Sequence, residues 1–124
     1  MRKDFLFIIF ITGIMACNKT VDLPDFDEER WKIDKNGCSN VRVDMADQLV
    51  KAKDHLKGLT EEEIVLVLGR PDKHELYKRN QKFFIYEIDN APACSDYDSS
   101  KTHTFFSIRY NATGRAKEIM IYRD

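Results

Sequence analysis

The feature that most constrains this chain is a change of period at Asp72. Before it, apolar residues recur at helical spacing. Met45, Leu49, Ala52 and Leu56 lie along one stripe, and Ala46 and Val50 widen it. After it, the period is two. Phe84, Tyr86 and Ile88 alternate with Ile85, Glu87 and Asp89, and Phe106, Ile108 and Tyr110 repeat the pattern. Helices followed by strands, without interleaving, exclude a parallel sheet wound by crossover helices. The expected fold is α+β, with two N-terminal helices packed on an antiparallel sheet of three to four strands.

Local signals place the element ends. Residues 41–56 carry the first helical stripe. Thr60-Glu61-Glu62-Glu63 matches a capping box, in which the threonine hydroxyl accepts from the third backbone N–H and Glu63 reaches back. Three glutamates in that first turn suit the helix dipole. Ile64, Val67 and Leu68 form the buried side, and Gly69 with Pro71 ends the helix. Asn111-Ala112-Thr113-Gly114 reads as a hairpin turn, with Ile119 and Ile121 on the strand beyond it. Lys73 to Lys78 is expected to add a short edge strand.

The first 17 residues read as an address. Arg2 and Lys3 precede a nearly continuous apolar run from Phe5 to Ala16. A spanning helix needs about 20 apolar residues, so this run fits a secretory signal instead. It ends Ala16-Cys17, a small residue before a cysteine, which resembles a bacterial lipobox. On that reading residues 1–16 are the signal peptide and Cys17 is the lipidated residue. A plain secretory signal with an incidental cysteine is the alternative. Residues 17–29 are acidic and aperiodic and are expected to be a tether, leaving a domain over 30–124.

Three cysteines are present, and lipidation uses one. Cys38 and Cys94 remain, and an even pair in an exported chain predicts a disulfide. Lys+Arg 20 against Asp+Glu 21 gives a formal charge of −1. That balance excludes nucleic-acid binding through bulk basicity.

Gly58-Leu59-Thr60, Ile64 and Leu68-Gly69-Arg70-Pro71 resemble the signature of the SmpA/OmlA (BamE-like) outer-membrane lipoprotein domain. Phe84 and Tyr86 stand where that family has an aromatic pair, and Phe106, Ile108, Tyr110, Gly114, Ala116 and Ile119 resemble its closing hairpin. The resemblance covers roughly residues 44–122. It implies an ααβββ fold, a lipid anchor in the outer membrane facing the periplasm, and accessory work in outer-membrane protein assembly. The same fold serves β-lactamase-inhibitor-like domains, so a protein inhibitor or ligand-binding lipoprotein is the alternative function.

No catalytic constellation stands out. His55, His74 and His103 share no ligand spacing, so solvated or loosely packed histidines are expected, with no metal and no cofactor. Ser95, Ser99 and Ser100 lie in a polar stretch without a nucleophile-elbow motif. A chain of this kind acts as a binding module, not an enzyme, and takes a protein partner through its surface. Strict alternation puts Phe83, Ile85, Phe105 and Met120 on the sheet face opposite the helices, beside Lys117 or Arg109 according to register. Phe83, Ile85 and Phe105 are the candidate partner surface. The competing expectation is that residues 28–40, stapled through Cys38–Cys94, fold over this face with Trp31 and bury it.

Overall fold

The computed structural model describes residues 21, 23–77 and 81–123. Cys17 and the rest of the expected signal lie outside them. Three α-helices come first: α1 (Glu28–Ile33), α2 (Val41–Leu56) and α3 (Glu61–Leu68), with a 3-10 turn at Lys35–Gly37. Four strands follow: β1 (Lys73–Tyr77), β2 (Gln81–Asp89), β3 (Thr104–Tyr110) and β4 (Ala116–Arg123). They form one antiparallel sheet in the order β1-β2-β3-β4. The fold is α+β, as expected, with one more short helix and with the edge strand present.

The expected caps are in place. Thr60 Oγ1 accepts from the Glu63 N–H at 3.2 Å, and the Glu63 carboxylate accepts from the Thr60 N–H at 3.3 Å. Helix α2 starts differently. Asn40 precedes it with a left-handed φ of 61° and makes no side-chain cap. The buried Asp34 carboxylate does that work from a distance in sequence, accepting the N–H groups of Ser39, Val41 and Arg42. An anion at this end satisfies orphan donors and suits the helix dipole.

The core lies between the helices and one sheet face. Met45, Leu49, Ala52 and Leu56 of α2 and Ile64, Val67 and Leu68 of α3 meet Phe84, Tyr86, Ile88, Phe106, Ile108, Tyr110 and Ile119. These are the residues the two periods selected. Val50, expected to widen the α2 stripe, is exposed instead, because the stripe facing the sheet is narrower than the pattern suggested.

Two expectations for the N-terminal segment are corrected. Leu23 (2% exposed) and Phe26 (8%) belong to the core, so the folded domain begins before the end of the expected 17–29 tether. The acidic residues between them masked two apolar anchors. Trp31 does not lie on the outer sheet face. It is fully buried on the helix side, with ring centroids 6.2 Å from Tyr86, 6.5 Å from Phe106 and 5.7 Å from Phe26. Aromatic packing of this kind draws the whole 23–34 segment onto the inner face.

Cys38 and Cys94 are joined by a disulfide with Cα atoms 5.5 Å apart. It holds the 3-10 turn beside the segment after β2. Gly37 needs its lack of a side chain there, since a Cβ would stand 2.5 Å from the Ile88 carbonyl oxygen, and its φ is +65°.

Candidate functional site

The sheet has a second face, opposite the one on which helices α1, α2 and α3 pack. On β2, alternation turns Phe83, Ile85 and Glu87 outward. Register then sets their neighbours: Phe83 opposes Arg109, Ile85 opposes Ser107 and Glu87 opposes Phe105. From β1, Lys73 opposes Ile85 and Glu75 opposes Phe83. From β4, Tyr122 opposes Phe105 and Glu118 opposes Arg109. The open choice between Arg109 and Lys117 falls to Arg109, which pairs with Glu118 at 2.6 Å.

This face is concave. It holds a cavity of about 580 Å³ with walls from Phe83, Ile85, Phe105 and Tyr122 and charged groups from Lys73, Glu75 and Glu87. Phe105 stacks on Tyr122 at 5.2 Å and lies 5.3 Å from the His103 ring. The sequence thus brought Phe83, Ile85 and Phe105 together as expected. Ile85 is buried, however, while Phe83 and Phe105 are half-buried and Met120 is exposed at the sheet edge.

Glu87 is the residue that reasoning from the sequence missed. Its side chain is 1% exposed, on the face expected to meet solvent. One oxygen, Oε2, meets His103 Nε2. The other, Oε1, has the Lys73 ammonium at 3.3 Å but no hydrogen bond. The turn-rich segment after β2 positions His103. Asn90 ties it by donating to the Asp98 and Lys101 carbonyls and accepting from the Asp98 N–H. His103, expected to be solvated or loosely packed, is instead largely buried against Glu87. A signal for this site was present: Glu87 is the one acidic residue inside the apolar run from Phe83 to Ile88.

The other two histidines stay apart from it. His55 is exposed near the end of α2, and His74 packs edge-on against Phe84 at 5.1 Å. Among the described residues, no three His, Cys, Asp or Glu side chains converge as a metal site, and no helix is long and apolar enough to cross a membrane.

A second buried polar cluster lies beneath the sheet's other face and serves the fold. Arg42 Nη1 donates to Asp72 at 2.6 Å and to the Glu87 carbonyl at 3.0 Å, and Nε donates to the Trp31 carbonyl at 3.0 Å. The guanidinium also stacks over Trp31 at 4.6 Å. With Nη1 and Nε spent on partners inside the domain, this cluster holds the N-terminal segment, α2 and the sheet together.

No family model, curated protein or solved structure matches the chain.

Proposed function

We propose that this chain is a lipid-anchored cell-envelope binding module, of the SmpA/OmlA-like kind, that captures a protein partner on the outer face of its sheet. The observation that carries the reading is the concave outer face, in which half-buried Phe83 and Phe105 surround a buried charge and are rimmed by Arg109 and Glu118. Apolar surface ringed by charge is the anatomy of a protein-binding patch. Binding fits this face better than catalysis, because both Glu87 oxygens already face internal cationic or imidazole groups.

The anchor reading rests on the sequence Arg2-Lys3, the apolar run to Ala16, and Cys17. The Cys38–Cys94 disulfide supports an oxidising, exported compartment. With Leu23 already in the core, the six residues from Cys17 span at most about 20 Å, so a lipid on Cys17 holds the domain close to its membrane. An outer-membrane location facing the periplasm, with work in barrel assembly, follows from the resemblance.

The test has two arms. Metabolic labelling with a fatty acid should mark the protein, and Cys17→Ala should abolish the label. Crosslinking in native envelopes should then recover barrel-assembly components with the wild type and far less with Phe105→Ser. Labelling of Cys17→Ala removes the anchor, and equal recovery with Phe105→Ser removes the face.

A further inference from the structure

Glu87 is a carboxylate at the floor of an apolar-walled cavity, and its two oxygens are treated unequally. A carboxylate taken out of water needs partners for its lone pairs. Oε2 has a close one in His103 Nε2. Oε1 is buried without a hydrogen bond, and its counter-charge is the Lys73 ammonium at 3.3 Å. Lys73 is a poor permanent partner. It is the first residue of the edge strand β1, and its side chain is 49% exposed. A half-exposed lysine keeps water competing for its ammonium and pays entropy to order its stem, so another cation can take its place at the carboxylate.

Displacing Lys73 is therefore cheap, provided another cation takes its place. A neutral or anionic ligand would leave Glu87 Oε1 buried without a counter-charge, which is unfavourable. With Lys73 displaced, one oxygen is left to be paired while the other is held by His103, which suits a point-like ammonium rather than the two-pronged guanidinium. The walls fit the rest of such a group. Ile85 and Phe83 can take an alkyl stem, and the stacked rings of Phe105 and Tyr122 close the wall beside them. The volume of about 580 Å³ holds a long side chain and its flanking residues.

We propose that this cavity receives a lysine side chain of the partner protein, whose ammonium replaces that of Lys73 at Glu87 Oε1. This rests on the reading of the outer face as the partner surface, and it names the chemistry that the face selects. Lys73 is then an internal stand-in for the ligand. It keeps Glu87 paired while the site is empty and makes the free protein insensitive to neutral apolar ligands.

The experiment uses the full chain in detergent micelles, isotope-labelled for amide NMR and titrated with Nα-acetyl-lysine methylamide. Saturable shifts should centre on Ile85, Glu87 and His103. The norleucine analogue, equal in apolar stem but uncharged, should bind about tenfold more weakly. Glu87→Gln should lose a similar factor. Lys73→Met leaves Glu87 Oε1 without its counter-charge in the empty site, so its fold is checked by the amide spectrum, and it should bind about threefold more tightly because the competitor is gone. Equal binding of the norleucine analogue, or no gain in Lys73→Met, overturns the proposal. Tighter binding of phosphoethanolamine than of the lysine amide overturns it in favour of a lipid headgroup. If the lysine amide fails to bind while Phe105→Ser still abolishes partner recovery, only the lysine assignment falls. If the lysine amide binds but Phe105→Ser leaves recovery unchanged, the partner surface falls instead.

Discussion

The Arg42 guanidinium meets the Asp72 carboxylate at 2.6 Å, with both side chains almost wholly out of water. The pair links the first turn of α2 to the residue just before β1. Asp72 also accepts the backbone N–H groups of Asn36 at 3.0 Å and Glu87 at 2.8 Å. One carboxylate therefore ties the 3-10 turn, helix α2 and strand β2 together. Removing one member of a buried ion pair leaves the other charged and unpaired. Asp72→Ala should cost about 3–5 kcal/mol, read from urea unfolding. A loss below about 1 kcal/mol, the size of a surface pair, would show the cluster to be loosely held.

The Cys38–Cys94 bridge joins residues 56 apart in sequence. Peptide mapping without reductant should recover the two cysteines linked. Reduction should lower the stability by up to about 4 kcal/mol, because the open chain regains loop entropy when unfolded. An unchanged melting temperature after reduction would show that the core alone holds the 3-10 turn against the sheet.

Phe105 and Phe106 are neighbours on opposite faces. Phe106 packs beside Trp31 in the core, and Phe105 stacks on Tyr122 outside it. Phe106→Ala should cost about 3–5 kcal/mol. Phe105→Ser should cost about 1 kcal/mol, the worth of an aromatic pair at a half-buried site. Equal losses from chemical denaturation would place Phe105 in the core and move the partner surface to the loops.

Burial pushes the phenols of Tyr86 and Tyr110 well above the ordinary tyrosine range. Tyr86 donates its hydroxyl to the Gly69 carbonyl at 2.8 Å, which requires the proton. Because the folded pKa values lie above the unfolded ones, the stabilisation is complete below pH about 10. It declines as pH rises above that value toward the folded pKa values. Of the five tyrosines, these two should ionise only as the protein unfolds. Ultraviolet phenolate titration alongside circular dichroism checks this. Early ionisation of all five, with the fold intact, would contradict their burial.

Arg109 beside Glu118 holds that carboxyl below the usual carboxylate range. The pair's contribution is present at neutral pH and is lost as pH falls through the lowered folded pKa. Arg109→Ala should return Glu118 to ordinary titration, as read by carboxyl NMR. No change in that titration would show that Glu118 meets solvent instead of the guanidinium.

Much of this protein was determined locally. The bounds of α3 follow from a capping box and a glycine stop, each complete within ten residues. The inner faces of β2 and β3 follow from alternation, which depends only on the pleat. The hairpin at Asn111–Gly114 follows from one side chain, since Asn111 Oδ1 accepts from the Thr113 and Arg115 N–H groups. Where residues act on near neighbours, the sequence by itself was sufficient. Tertiary structure decided the rest. Asp34 caps a helix from outside its own turn, Trp31 chooses the inner face, and Leu23 and Phe26 join the core despite acidic neighbours. The site belongs to the same class. Glu87 finds Lys73 on a separate strand and His103 beyond a long loop, and strand register together with the fold of that loop brings them into one cavity. Periodicity says which way a side chain points. Only the packing of distant segments decides what it meets there, because such contacts form only when distant parts of the chain fold together, at an entropic cost that no local pattern records.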